Sequence, residues 1–285
     1  MILKSYAKVN LHLEVLGLRR DGYHDIDTLF QTINLYDTLH FYEATQEGAF
    51  ELKCNIPGLS TGDNIIWKAI ESLRSYFPPN SKGLKIVLEK RIPMGAGLGG
   101  GSSNGAMVLR GLNQYYHLNM DNNTLMELAS RLGADVPFFV KGGLARGQGM
   151  GERLTHHEEL FCPIHFLVIY PNIHIVTKDA YGDLELDHPR DEKDLNNLMN
   201  GLKSKDLSRV ADSLFNRFED KQFRKYPMIK DLKDQLLGLG ALGALMSGSG
   251  STVFGIFESR KEAQEAMDHF PDSPYTLFLA ESITY

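Results

Sequence analysis

The chain opens with ILKSYAKVNLHLEVLG, where β-branched and apolar residues recur near period two, a spacing that predicts a strand. RRDGYHD follows as a turn, its Asp-Gly pair being a hairpin signal. TLFQTINLYDTLHFYEA reads as two further short strands. Asp63 is placed to cap a helix over NIIWKAIESLRSYF, which Pro78 and Pro79 end. LKIVLEKRI alternates as a strand and runs directly into PMGAGLGGGSS. Beyond that run, AMVLRGLNQYY has helical spacing through Ala106, Leu109, Leu112 and Tyr116. Thr124 and Glu127 have the spacing of a capping box for TLMELASRL, which Gly133 closes. ADVPFFVKGG is expected to be a short loop and strand, and ARGQGMGERL a second glycine-rich turn.

The texture changes near residue 155. A polar THHEEL gives way to CPIHFLVIYP, a buried-strand run, then to helices over LKSKDLSRVADSLFNRFED and MIKDLKDQLLGLG. GALMSGSGSTVFGIF reads as a hairpin about SGSG, SRKEAQEAMDHF as a helix and YTLFLAESIT as a last strand. The expectation is two α+β domains, 1–155 and 156–285, the second with antiparallel pairing. No internal repeat or low-complexity linker separates them, and a small ligand is expected in a cleft between two such domains.

At 285 residues the chain has ample length for a sizeable core, and 42 % hydrophobic with 23 % charged residues is ordinary for a globular protein. The longest apolar candidate, LLGLGALGALM, is too short and too glycine-rich for a membrane span, so no membrane partner is expected. MILKSYAKVN has neither an apolar h-region nor a cleavage site, and Cys54 and Cys162 lack metal-ligand spacing. Both thiols are expected to be inert core groups of a cytoplasmic protein. The net charge of −6, with no Lys/Arg run, argues against nucleic acid as a partner. An anionic small molecule would then have to be held by local donors rather than by the overall field.

Six of the eleven residues from Gly95 to Gly105 are glycine, and that much backbone freedom is costly to order. A flexible surface loop would be polar, whereas this run lies between a strong strand and a strong helix. Gly95, Gly97 and Gly100 satisfy G-x-G-x-x-G, but LNQYYHLNMDNN is not the second strand that a dinucleotide fold requires. The remaining reading is an anion cradle. Glycines let main-chain N–H groups turn inward, and a helix starting at Ser102 or Ser103 adds free N–H donors and the positive end of its dipole. The serine hydroxyls can also donate to phosphate, or can serve as plain helix caps. No G-K-[ST] follows, so this is not a Walker A loop, and no protein-kinase H-R-D or D-F-G is present.

PMGAGLGGGSS resembles the second motif of the GHMP kinases, and its triple glycine is similar to the branch of diphosphocytidyl-methylerythritol kinases. AKVNLHLEVLGLRRDGYHDIDTLFQ, LGADVPFF and MSGSGSTVFGIF resemble the other motifs of that branch, in its order. The resemblance implies an α+β fold with an N-terminal nucleotide-binding domain and a ferredoxin-like C-terminal domain. It implies ATP and Mg²⁺, a cytidine diphosphate-linked methylerythritol as acceptor, and phosphoryl transfer to its 2-hydroxyl. Another GHMP kinase, of homoserine or mevalonate type, stays open at this point, as does a non-catalytic nucleotide binder on the same scaffold.

By the same resemblance, Asp135 takes the catalytic carboxylate's place and Lys8 the active-site ammonium's. A loop Asp and a strand Lys would otherwise be ordinary turn and surface groups. The nucleotide loop corresponds to Pro93, Met94, Gly95, Ala96, Gly97, Leu98, Gly99, Gly100, Gly101, Ser102 and Ser103, with Asn64 and Lys90 near the purine. On the acceptor side stand Asn10, Tyr23, His24, Thr177 and Tyr181, Tyr23 and Tyr181 offering aromatic faces to a pyrimidine and the His24 imidazole a hydrogen bond to its edge. No protein ligand for Mg²⁺ is assigned. His156-His157-Glu158-Glu159 reads as a solvated loop, since contiguous side chains diverge. Gly105 departs from the alanine usual in the family, which implies a looser helix and weaker ATP affinity.

Overall fold

A computed structural model describes residues 1–60, 64–184, 193–271 and 273–284. Along the described chain the strands are β1 (Ile2–Leu18), β2 (His24–Glu47), β3 (Phe50–Cys54), β4 (Lys82–Glu89), β5 (Leu144–Gly149), β6 (Arg153–His156), β7 (His165–Tyr170), β8 (Phe215–Asn216), β9 (Gly243–Met246), β10 (Val253–Phe257) and β11 (Thr276–Glu281). The helices are α1 (Ile65–Leu73), α2 (Gly100–Tyr115), α3 (Asn122–Ser130), α4 (Phe138–Lys141), α5 (Thr177–Gly182), α6 (Lys193–Ser204), α7 (Leu207–Asp212), α8 (Glu219–Lys225), α9 (Pro227–Gly238) and α10 (Arg260–Met267). Two compact units interleave along the sequence. One comprises Met1–Ala7, Tyr36–Ile92 and Gly99–Lys141, the other Lys8–Leu35, Pro93–Leu98 and Gly142–Tyr285.

In the first unit β4 is central. It pairs antiparallel with the later half of β2, Leu39 opposite Leu88, and parallel with β3, Leu52 opposite Ile86. α1 and α2 pack together, and α2 also meets α3 and α4. Buried Leu39, Leu84, Ile86, Ile70, Leu109 and Phe139 belong to this unit's core. α2 is glycine-bearing on a packed face: a Cβ on Gly111 would sit 2.4 Å from the Phe41 ring.

In the second unit the earlier half of β2 pairs antiparallel with β5, Ile26 opposite Gly149, and the later half of β1 pairs parallel with β8, His12 opposite Phe215. A second sheet has the order β11-β7-β10-β9. Numbered within this sheet along the chain, that is 4-1-3-2, the ferredoxin-like arrangement expected of the C-terminal half. Leu167, Ile169, Met246, Val253 and Phe257 of that sheet bury their side chains with Ile229, Leu232 and Leu236 of α9. Among the described residues no helix is long and apolar enough to cross a membrane.

Several local expectations are corrected. Residues 28–44 are part of one strand, not two, because nothing between Asn34 and Thr38 supplies a turn. PFFVKGG carries a short helix instead of a strand, and LARGQG is a strand instead of a turn. Gly147 is needed there as a strand residue, since a Cβ would lie 2.7 Å from the Phe30 ring and 2.9 Å from Gly151 O. The predicted single helix after Leu202 breaks at Lys205, with φ +56, and restarts at an Asp206 cap. β8 and α8 follow. α3 is capped by Asp121, whose carboxylate accepts from Thr124 N, and not by a Thr124–Glu127 box. Its cap residue at the C-terminus is Arg131, ahead of Gly133. Asp63 lies outside the described residues; the cap of α1 is Asn64, whose side chain accepts from Ile66 N. Cys162 is buried, which pushes its thiol up, but Cys54 is only half-buried at the end of β3.

Candidate active site

In the second unit, alternation along β1 puts Lys8, Asn10 and His12 on one face. All three are buried, Lys8 at 3 % exposure. The Lys8 ammonium donates to Asn10 Oδ1 at 2.5 Å and to Gly97 O at 3.1 Å, and lies 5.3 Å from the centre of the Phe30 ring. Asn10 Nδ2 donates to Thr28 Oγ1 at 2.7 Å, and that hydroxyl donates to His12 O at 2.6 Å. Lys8 is therefore held in place by a buried hydrogen-bond chain rather than by its flexible stem.

The same unit grips the first part of the glycine run by its carbonyls. Thr252 N donates to Ala96 O at 3.3 Å, Ser247 Oγ donates to Gly97 O at 3.0 Å, and Lys8 N donates to Leu98 O at 3.0 Å. A trans peptide turns its N–H opposite to its C=O. With these three carbonyls held, the amides of Gly97, Leu98 and Gly99 face the other way, and among the described residues none takes a hydrogen bond from them. Gly95, Gly97 and Gly99 have φ of +61°, +78° and +69°, the left-handed region that successive inward-turned amides require. Gly97 has a second reason to lack a side chain, because a Cβ would lie 2.0 Å from Ser247 O. Pro93 and Met94 lead into this segment, and Met94 O is 3.5 Å from the Tyr170 hydroxyl.

Within the first unit, Gly99 is the N-cap of α2 and the helix starts at Gly100, earlier than the serines suggested. Gly101 is exposed, with nothing within 4 Å of a built Cβ, and Ser102 is half-buried. Ser103 is fully buried and its hydroxyl accepts from Ser5 Oγ at 2.8 Å. Gly105 is explained by packing: a Cβ there would lie 3.0 Å from Ile65 Cγ1. The polar groups of the two residues expected near a purine have partners inside the protein. Asn64 Nδ2 donates to Leu59 O at 2.5 Å while its Oδ1 caps α1. Lys90 is ion-paired with fully buried Asp37 at 2.5 Å. Asp135 is half-buried in the turn that precedes α4.

On the acceptor side, the structure brings His24 and Tyr181 together, their rings stacked at 4.9 Å and 27°. Phe218 meets Tyr181 edge-on at 4.9 Å. Thr177 Oγ1 is 3.1 Å from Ser249 Oγ. Tyr23 is 62 % exposed on the hairpin, where Gly22 has φ +85° and Asp21 accepts from Tyr23 N. Arg19 beside Asp21 holds that carboxyl below its ordinary range.

Two groups were missed by sequence reasoning. Ser247, in the third glycine motif, holds the loop, and a serine between an apolar strand and glycine was its signal. Asp37 occupies a position in phase with buried Leu39 and Phe41, and a charge at an apolar position of a strand was the signal there.

Comparison with known proteins matches residues 64–143 to the GHMP kinases N terminal domain and residues 198–275 to the GHMP kinases C terminal domain. The 4-diphosphocytidyl-2-C-methyl-D-erythritol kinase of Clostridioides difficile is 40 % identical over 264 residues, covering 92 % of this chain and 88 % of that one. The protein of the same name from Chlorobium phaeobacteroides is 41 % identical over 275 residues, 94 % of each chain. A crystal structure of 4-(cytidine 5'-diphospho)-2C-methyl-D-erythritol kinase superposes with a TM-score of 0.81 at 32 % identity, covering 99 % of both chains. Homoserine kinase from Cytophaga hutchinsonii shares the fold, with a TM-score of 0.73 at 20 % identity over 99 % of this chain and 96 % of that one. The chain belongs to the GHMP kinase family, in the branch of the relatives that match it over nearly their whole length.

Proposed function

We propose that this ATP-dependent kinase transfers the γ-phosphoryl group of ATP to the 2-hydroxyl of 4-diphosphocytidyl-2-C-methyl-D-erythritol, a step in isoprenoid precursor synthesis in the cytoplasm. The observation that carries the nucleotide half is the glycine run, whose carbonyls are tied to the protein while the amides of Gly97, Leu98 and Gly99 face away. The acceptor half rests on relatives of one name that match nearly the whole chain at 40 % and 41 % identity.

In the proposed reaction the acceptor oxygen bonds to the γ-phosphorus as the bond to the β,γ-bridging oxygen breaks, and ADP leaves. Asp135 accepts the hydroxyl proton. Lys8, fixed by Asn10 and Gly97 O, offsets charge that develops on the transferring group. The loop from Pro93 to Ser103 carries the polyphosphate through its amides and the start of α2. Asn64 and Lys90 border the purine with their stems and backbone, since their polar ends serve the protein itself. Tyr181 and exposed Tyr23 supply aromatic faces to the cytosine and the His24 imidazole a hydrogen bond to its edge, with Asn10 and Thr177 on the remainder of the acceptor. The His24–Tyr181 rings are 4.9 Å apart, too close for a base between them, so the base stacks on an outer face or parts the pair.

Magnesium belongs to the proposal as the nucleotide's own ion. Among the described residues no group of three or more His, Cys, Asp and Glu could hold a metal, and an ion bound through phosphates and water needs no such group. Bound there, it would offset the charge of the β- and γ-phosphates.

The test is ADP release against a panel of the cytidine-linked acceptor, homoserine and mevalonate. Turnover of the first alone is expected, and turnover of homoserine or mevalonate without it overturns the acceptor assignment. Asp135→Asn is expected to retain ATP binding and lose turnover by at least about a hundredfold. ATP binding without turnover of any alcohol by the unaltered protein would instead favour a nucleotide-binding module.

A further inference from the structure

Asp37 accepts four hydrogen bonds in a site from which water is excluded. Its Oδ1 takes Arg91 N at 2.7 Å and Ile92 N at 2.8 Å, and its Oδ2 takes Lys90 Nζ at 2.5 Å and Asn104 Nδ2 at 2.9 Å. Asn104 Nδ2 also donates to Ser5 Oγ at 2.9 Å, and Ser5 Oγ donates to Ser103 Oγ at 2.8 Å. Asp37, Ser5 and Ser103 are fully buried, Asn104 is 3 % exposed and Lys90 8 %. All five residues lie in the first unit.

The partners fall at two places in the sequence. Lys90, Arg91 and Ile92 immediately precede the glycine run; Ser103 is its last residue and Asn104 immediately follows it. A run with this much glycine has many conformations to lose, and fixing its ends removes part of that cost before a ligand arrives. A buried ion pair is by itself weak evidence of stability, because desolvation offsets the attraction. It does impose one geometry, since every partner must be present for the charge to be tolerated.

We propose that Asp37, with Lys90 and Asn104, is a clip that holds both ends of the glycine run in register and so presets its amides for a polyphosphate. Asp37 is a positioning residue: it acts on the nucleotide through Arg91, Ile92 and Asn104. The ammonium of Lys90, which would lie 3.0 Å from a Cβ on Gly100, supports the start of α2 from within. This inference rests on the reading of the run as the ATP loop.

The experiment compares Asp37→Asn and Asn104→Ala with the unaltered protein. It reads ATP affinity by calorimetry, KM for ATP and for the cytidine-linked acceptor, and amide hydrogen exchange over residues 93–104. Expected are a rise of at least about tenfold in the ATP dissociation constant and KM, an acceptor KM within about twofold, and faster exchange confined to the run. A merely structural role would lower the melting temperature and leave the affinity of the folded protein alone. ATP affinity within about twofold in folded variants overturns the proposal, as does an equal rise in both KM values. Should Asp37→Asn not fold, Asn104→Ala decides, since it cuts the helix-side arm and leaves the ion pair. Loss of folding in both assigns the network to the unit as a whole and overturns the clip. An unaltered protein that binds ATP but ignores the cytidine-linked acceptor overturns only the acceptor assignment. If it binds no ATP, the nucleotide reading fails, and the exchange rates alone still decide whether the run is held.

Discussion

Gly101→Ala separates two reasons for a glycine. The residue is the second of α2, exposed, with a backbone that alanine adopts and with no heavy atom within 4 Å of a built Cβ. By packing alone, alanine is the better residue. Gly to Ala in a compatible conformation contributes about 0.4–1 kcal/mol, a rise of roughly 1–3 °C in melting temperature for a domain of this size. If phosphate oxygens approach the amides at this helix start, the added methyl group stands in their path. Weakening one hydrogen bond to a charged group costs about 1.5–3 kcal/mol, or roughly 10- to 150-fold in affinity. The expected result is a protein that melts higher and binds ATP at least about tenfold more weakly. Gly238→Ala is the control, because that glycine ends α9 with equally open space. It should change stability by a similar amount and leave ATP binding unchanged. Thermal melting and calorimetric titration with ATP measure both. A stabilised Gly101→Ala protein with unaltered ATP affinity would refute the cradle at this amide.

Gly97→Ala should behave oppositely in stability. It puts a side chain at φ +78° and a Cβ 2.0 Å from Ser247 O, so denaturant unfolding should register a loss above about 2 kcal/mol together with lost ATP binding. Gly105→Ala should be near neutral: about 1 kcal/mol of helix propensity is offset by a contact of 3.0 Å with Ile65 Cγ1. Combining it with Ile65→Ala should give more stability than the sum of the two changes, read from a double-mutant melting cycle. Glu219 accepts from Met246 N and Lys233 Nζ, yet burial pushes its carboxyl above the ordinary range. A folded-state pKa above the unfolded one gives stability that is full below the unfolded value and is lost as pH rises through the folded value. Stability of the Glu219→Gln protein should therefore fall less than that of the unaltered protein as pH climbs above the ordinary carboxylate range, measured by chemical unfolding.

Much of the architecture was legible because periodicity and cap chemistry are local. The hairpin about SGSG, the helix over SRKEAQEAMDHF and the strand YTLFLAESIT lie where their patterns put them. The failures have local causes too. FFVK is apolar on every side, so its sequence could not distinguish four helical residues from a strand. LARGQG looked like a turn because glycine usually marks one, but Gly147 serves the close approach of Phe30. TLFQTINLYDTLHFYEA read as two short strands, while Asp37 in fact stays within one strand and commits its carboxylate to Lys90, Arg91, Ile92 and Asn104. No pattern of spacing announces partners 53 to 67 residues away.

The same distinction separates the chemistry that motifs announce from the chemistry that makes it work. Spacing alone finds glycines, and glycine is a permission rather than an instruction: it allows φ of +61°, +78° and +69° without selecting them. Selection comes from Thr252, Ser247 and Lys8 on the carbonyls of residues 96–98. Under the proposed reading of the run, these contacts let a chain of net charge −6 receive a polyanion. Amide dipoles and a helix start carry no net charge, act only at contact distance, and need no favourable overall field. The buried Lys90 beside α2 is ion-paired with Asp37, so it adds no net charge there. A net negative charge and the proposed phosphate site are then compatible, provided that the main chain is held rigid before the nucleotide arrives.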